Sequence, residues 1–343
     1  MIIRSYANGF EVSDWTEELL IVPNKWGLIQ QLGIFGEAEG VTQHTVTFEQ
    51  IDKSIGLIGD KVRGERANVS KDYTRKVHSY AIPHFPMDDY ISPNDIQGKR
   101  AYGAEGVEQL EAVRARKLER VRQNHAITLE YARAQLLCNG TVYAPNGSVS
   151  YNFYTDFGVV RKEVDFVLGT ATTDILGKCE EVIGHIQDNL QSGEVATNVV
   201  ALCSSGFFGK LIKHAKVVNA YQYYTTIGAV QPLRDRLAAP NLDGRYRSFD
   251  FGGIMFIEYR GSFNGSALIT AGDAYAIPLG TNDMFKTFVS PANKLDLVNT
   301  IGQEAYFFEY PDVRGEKIEI QSEANFINMV RRPAALVRLH SSD

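Results

Sequence analysis

GVEQLEAVRARKLERVRQNHAITLEYARAQLLCNG, residues 106–140, is the stretch whose reading decides the fold. Val107, Leu110, Val113, Leu118, Val121, Leu129, Ala132 and Leu136 recur three to four positions apart, with one gap near Ala126. That is the period of an α-helix with an apolar stripe. Glu105, Glu108 and Glu111 lie where the helix macrodipole favours anions, and Arg114, Arg116, Lys117, Arg120 and Arg122 follow them. Asn139-Gly140 supplies the residues that end a helix in a left-handed turn. About 33 residues at 1.5 Å each predict a rod near 50 Å long. This is far longer than an ordinary globular helix, and it reads as a structural spine.

On the N-terminal side of the spine, two β-favouring runs flank a charged tip. Val41 to Ile51 carries Thr42, Thr45, Val46, Thr47, Phe48 and Ile51; Tyr73 to Ile82 places His78, Tyr80 and Ile82 on one face. Between them lie Gly56, Gly59 and Gly64 and the charges Asp52, Lys53, Asp60, Lys61, Arg63, Glu65, Arg66 and Lys71. Two strands of about ten residues reach roughly 33 Å. A lone two-stranded hairpin is marginal in water, so this arm needs a partner. Pro83 to Asp89 is expected to end the second strand and turn the chain. Residues 1–40 hold an amphipathic patch, Trp15 to Ile21, and then Trp26, Leu28, Ile29, Leu32, Ile34 and Phe35. So much apolar surface lies either against another chain or on the segment's own domain; both readings stand.

Beyond the spine the chain alternates short helices and strands. Tyr143 to Asp165 reads as a hairpin turning at Pro145-Asn146-Gly147. Thr172 to Gln191 is a helix, Asn198 to Cys203 a buried strand, and Gly206 to Val217 a helix holding Phe207, Phe208, Leu211 and Ile212. Strands with glycine-rich joints follow over Ser248–Tyr259 and Ser266–Ile277. Glu316 to Leu339 alternates Ile318 and Ile320, continues through Phe326 to Val330 and stays extended to Arg338-Leu339.

The totals narrow the function. The 343 residues are 44 % hydrophobic and 22 % charged, enough for a sizeable core without cross-links. Cys138, Cys179 and Cys203 form no CxxC or Cys/His cluster and read as small buried residues of a reducing compartment. A signal peptide and an apolar run long enough for a membrane span are both missing, so neither export nor a membrane is expected. A net charge of −6 argues against a surface that grips nucleic acid broadly, yet suits a wall around a polyanion.

No HExxH, GxSxG, GxxxxGK[ST] or GxGxxG occurs, which removes the commonest zinc, serine, phosphate-loop and dinucleotide signatures. Asp156-Phe157-Gly158 spells a kinase triplet, but without the companion motifs it reads as a turn after an aromatic strand. His44, His78 and His84 could converge on a metal if the hairpin pairs, although their spacing sets no geometry. The basic face Arg114 to Arg122 suits either phosphate or a salt-bridge-laced surface, and the interleaved Glu119 favours the latter. Asp88-Asp89 and Glu180-Glu181 read as solvated surface. No catalytic, cofactor or metal residue is proposed.

The order of parts resembles the major capsid fold of tailed phages: arm, charged hairpin, very long helix, compact α/β region, returning C-terminal strand. The chain is similar to the lambda-type branch, the phage major capsid protein E family. The stretches that carry the likeness run from Phe48-Glu49-Gln50-Ile51 to Arg63-Gly64-Glu65-Arg66, and through Gly98-Lys99-Arg100-Ala101-Tyr102-Gly103. They continue from Tyr275-Ala276-Ile277-Pro278-Leu279-Gly280-Thr281 through Tyr306-Phe307-Phe308-Glu309-Tyr310 to Arg331-Arg332-Pro333-Ala334-Ala335-Leu336-Val337. The resemblance implies an α+β shell subunit with an N-terminal arm (1–40), an extended hairpin loop (41–90) and a peripheral domain with the spine helix (91–172). An axial domain (173–310) and a C-terminal return to the peripheral domain (311–343) complete it. It also implies self-association into hexamers and pentamers, a separate scaffolding protein, a portal, possible decoration proteins and enclosed double-stranded DNA. Lys53, Asp60, Lys61, Arg63, Glu65 and Arg66 at the hairpin tip become the expected subunit contacts. The competing readings are a non-viral compartment shell of the same fold and a cytosolic enzyme with a divergent site.

Overall fold

The computed structural model describes residues 2–5, 11–14, 27–52, 74–97, 110–146, 151–190, 194–226, 246–263 and 266–342. In chain order the first strands and helix are β1 (Ile2–Ser5), β2 (Glu11–Asp14), α1 (Leu28–Gln31) and β3 (Glu39–Gly40). The hairpin β4 (Thr45–Asp52) and β5 (Thr74–Ala81) follows, then β6 (His84–Ile91) and the spine α2 (Leu110–Asn139). After it come α3 (Phe153–Phe157), β7 (Lys162–Asp165), α4 (Ile175–Asn189), β8 (Asn198–Cys203), α5 (Ser205–Lys213) and α6 (Ala215–Thr226). The strands β9 (Arg247–Phe251), β10 (Ile254–Glu258), β11 (Ser262–Phe263), β12 (Ser266–Ala267), β13 (Asp273–Leu279) and β14 (Phe285–Val289) come next. The chain ends with β15 (Tyr306–Pro311), β16 (Ile318–Val330) and β17 (Val337–His340).

Two sheets organise these elements. A seven-stranded sheet runs β1-β2-β15-β16-β14-β3, with β6 also paired to β16. The 13-residue β16 is its axis: its first half pairs with β15 and β6, and its last five residues with β14. Alternation along β15 separates two small cores. Phe307 joins Val113, Leu118, Val121 and Ile320 beneath α2, whereas Tyr306 and Phe308 meet Leu297 and Ala292 on the opposite face. The segment 291–302 therefore covers the face that the spine does not.

The second sheet runs β7-β17-β13-β8-β10-β9 and contains both parallel and antiparallel pairs. Its central strand β8 is buried on both sides. Val199, Ala201 and Cys203 face α4 and α5, while Val200 and Leu202 join Leu136 and Leu137 of the spine. The last strand, β17, belongs to this sheet, so the two strands of the C-terminal segment end in different sheets.

At about 1.5 Å per residue, the 30 residues of α2 span roughly 45 Å. Its N-terminal half buries a stripe, Val113, Leu118 and Val121, and its last turns are buried nearly all round from Ala132 to Cys138. Leu110, read as part of the stripe, is 37 % exposed at the first turn.

Three local readings change, and one left open is decided. Residues 83–89 were expected to turn, but 84–91 form β6, a strand that among the described residues pairs only with β16. Pro86 is tolerated because an edge strand does not need every N–H. Tyr151–Phe157 is no strand: Asn152 caps Tyr154 N–H at 3.0 Å, and Gly158, at φ 66°, closes the short helix α3. Asp156-Phe157-Gly158 is thus a helix end. The helix expected over 206–217 breaks at His214, which is extended and separates α5 from α6. The described part of the N-terminal segment packs on its own chain, with Leu28 and Ile29 fully buried against the spine core.

Candidate assembly surfaces

The hairpin β4–β5 pairs in the register Val46↔Tyr80, Phe48↔His78 and Asp52↔Thr74, and neither strand pairs with a third among the described residues. An aromatic cluster holds its root. The Tyr80 ring meets Tyr151 edge-on at 4.9 Å and Phe153 at 5.4 Å, and Phe48 lies 5.5 Å from Phe288. The Tyr151 hydroxyl accepts Ala81 N–H at 3.0 Å, and the Arg331 guanidinium covers Phe48. Away from the root, exposure rises: Val77 is 62 % exposed, and the ion pair between Arg75 and Glu49 faces solvent. The hairpin is thus rooted in the core, and its described outer part lies in water. The contact residues expected at the tip, Lys53, Asp60, Lys61, Arg63, Glu65 and Arg66, lie outside the described residues.

The spine ties the body together through buried polar groups that periodicity did not reveal. Glu130 accepts Ile29 N–H and the Tyr259 hydroxyl, each at 2.9 Å; burial raises its pKa against those donors. Arg133 donates to Thr287 at 3.2 Å and covers the Phe35 ring, and Thr287 donates to Asn328 at 2.8 Å. The Ser322 hydroxyl donates to the Met87 carbonyl at 2.7 Å, so it accepts from His125 Nε2–H at 2.8 Å. Burial holds the His125 pKa down to about 4. One helix is thereby bonded to α1, to β14 and β16 of the first sheet, and to Tyr259 just past β10 of the second.

The basic face of the spine is a salt-bridged surface whose acids come from elsewhere in the chain. Arg114 meets Glu309 at 3.1 Å, and Lys117 meets Asp95 at 3.1 Å and Asp89 at 3.6 Å. The Ser92 backbone N–H and the Lys117 ammonium hold the Asp95 carboxyl down to about 2. Glu181 likewise pairs with Lys162. Among the described residues no group of three or more His, Cys, Asp or Glu is placed to hold a metal. His78 and His84 instead meet Gln50 and Asn325. The three thiols are free and buried, and burial pushes Cys179 up to about 12. Among the described residues no helix is long and apolar enough to cross a membrane.

Residues 291–302 were not read from sequence as a surface of interest. Leu297 points into the core, and Thr300 Oγ1 donates to the Leu297 carbonyl at 2.8 Å. Asn299 adopts φ 62°, and Gly302 N–H donates to the Val41 carbonyl. A Cβ on Gly302 would sit 2.2 Å from the Val289 carbonyl oxygen, so the loop lies tight on β14. Held this way, it presents Leu295, Val298 and Ile301 outward at 91, 61 and 69 % exposure.

A body of two sheets on one long helix, with a rooted arm, is the architecture of a shell-forming capsid subunit. Solved structures share it. A capsid protein of the cyanophage P-SCSP1u superposes with a TM-score of 0.55 over 94 % of this chain and 90 % of its own, at 10 % identity. One from the capsid of Myoviridae phage XM1 gives 0.52 over 94 % of each chain at 12 % identity. The particular family follows from sequence: phage major capsid protein E matches residues 11–341, and the chain belongs to it. The major capsid protein of Pseudomonas phage KPP10 is 50 % identical over 98 % of both chains. That of Salmonella phage Felix O1 is 31 % identical, again over 98 % of both. The chain is a phage major capsid protein, a structural component of the virion that self-assembles into its shell.

Proposed function

We propose that this subunit forms hexamers and pentamers that close into an icosahedral head around double-stranded DNA, working by association rather than by chemistry. The observation that supports this most is the hairpin, rooted in its own core and bound to no third strand among the described residues. In this reading the outer part of the hairpin, beyond its root in the subunit's own core, lies over an adjacent subunit. Lys53, Asp60, Lys61, Arg63, Glu65 and Arg66 then pair with opposite charges there, setting register more than affinity. Residues 91–172 make the peripheral domain, and 173–310 meet their copies around the five- and six-fold axes. Assembly takes place in the host cytoplasm on a separate scaffolding protein, with a portal at one vertex and decoration proteins as optional additions. The net charge of −6 keeps the wall from adhering to the packaged polyanion. Electron microscopy of the protein co-expressed with its scaffold is the test: closed particles of uniform diameter are expected. Discrete small oligomers only would overturn the reading.

A further inference from the structure

The seven-stranded sheet carries two unlike apolar surfaces on its opposite faces. One is the crest of the 291–302 loop, on the face away from the spine and beside Tyr306, where β15 begins. The other is a groove of about 420 Å³ where β15 ends, on the spine face, lined by Ile91, Pro93, Ile96, Leu110, Pro311 and Ile318. Five strand steps of about 3.4 Å put the two ends of β15 roughly 17 Å apart, with the thickness of the sheet between them. The crest of one copy therefore cannot fill the groove of the same copy.

The crest is exposed where water makes it costly, and the groove opens to solvent between Leu110, 37 % exposed, and a buried Ile91. Leu295, Val298 and Ile301 lie within seven residues, and the loop beneath them is already bonded in shape, so docking it orders little chain. The groove is mostly apolar, with Glu316 and Lys317 at its edge. Asp296 on the crest and Arg314 on the adjoining turn are both exposed and carry opposite signs. A knob and a socket placed on different faces of a subunit satisfy each other only head to tail, and head-to-tail contacts close into rings where the rotation between copies closes.

We propose that the 294–302 crest of one subunit docks in the Ile91–Ile96–Leu110 groove of the next, forming a heterologous contact distinct from the hairpin arm. The inference rests on the shell reading, because it needs many copies in one wall. It predicts which two patches of this chain meet, and the pairing can be trapped with thiols. Cys138, Cys179 and Cys203 are buried, so introduced cysteines report alone.

Val298→Cys and Gln97→Cys chains, both altered at exposed positions, are assembled separately and as a mixture, then treated with a short bismaleimide. A cross-linked dimer is expected in the mixture and in neither variant alone; a chain carrying both changes should give a ladder of multimers. No cross-link in a mixture that forms normal particles overturns the proposal. So does a Val298→Cys dimer by itself, which would mean that crest meets crest. A Gln97→Cys thiol shielded from maleimide in unassembled subunits also overturns it, since the chain's own residues would then fill the groove. Independently, Val298→Asp/Ile301→Asp should leave the melting temperature of the free subunit unchanged and lower particle yield at least tenfold. Normal yield counts against the contact. If wild-type subunits make no particles, it is the shell reading that has failed, and micrographs of wild type show this separately.

Discussion

Val121 and Leu110 occupy the same helix and the same apolar period, yet they have opposite prospects. Val121 is fully buried beneath the sheet, whereas Leu110 sits half-open at the first turn. Val121→Asp should abolish soluble subunit, because an unpaired buried carboxylate costs several kcal/mol. Leu110→Asp should fold, with a melting temperature near wild type. Soluble yield and a thermal melt separate the two. At His125 the residue scale also sets a pH dependence. Its folded pKa, about 4, lies below the ordinary 6.5, so the unfolded chain takes up the proton first. The stability it contributes is complete above about pH 6.5 and is lost as pH falls toward 4, by about 3 kcal/mol in all. Burial raises Glu130 and Glu309, which act in the opposite sense at acid pH. The comparison to make is therefore wild type against His125→Asn. The variant should be less stable at pH 7.5 and lose less between pH 6.5 and 4.

Elements here are held at few points, and each point can be loosened. Tyr151→Phe removes the acceptor for Ala81 N–H at the hairpin root and should cost about 1 kcal/mol. Hydrogen exchange at the β4–β5 amides should speed up while the amides of β8 keep their protection. Gly302→Ala pushes a methyl group into the Val289 carbonyl. Overpacking of that kind costs about 1–3 kcal/mol. The loop should lift from β14, with a lower melting temperature and poorer particle yield together. That pattern differs from the crest substitutions, which touch only the outer face.

At the scale of the whole molecule, weak contacts matter because a closed shell repeats them. An exposed ion pair is worth about 0–1 kcal/mol, so a single subunit scarcely registers its loss. Arg63→Glu/Arg66→Glu should accordingly leave the melting temperature of free subunits unchanged while blocking shells or making them aberrant. High salt should weaken wild-type assembly in the same direction, because screening acts on exposed charge. Normal particles at normal yield from the double variant would make the tip charges merely solubilising.

The sequence by itself determined the elements whose signal is periodic and local. The spine, the β4–β5 pairing and the helix α4 repeat at 3.6 or 2.0 residues, and β8 is a short unbroken apolar run, so local sterics suffice to read them. The order of those parts also carried the family resemblance. What only the tertiary structure decided concerns partners distant in sequence. Tyr151 to Phe157 has the composition of a strand, but packing of Tyr151 and Phe153 on Tyr80, some 70 residues earlier, lets the Asn152 cap and the Gly158 turn close Phe153–Phe157 as a helix. Residues 84–91 look like a proline-punctuated turn, but β16, more than 200 residues away, supplies the hydrogen bonds that make them a strand. Glu130, Arg133 and His125 look like surface positions until α1, Thr287 and Ser322 arrive to satisfy them. Leu295, Val298 and Ile301 look like core until Leu297 alone turns inward. An apolar side chain can be read from sequence as wanting burial, but not whether its own chain or another subunit provides it.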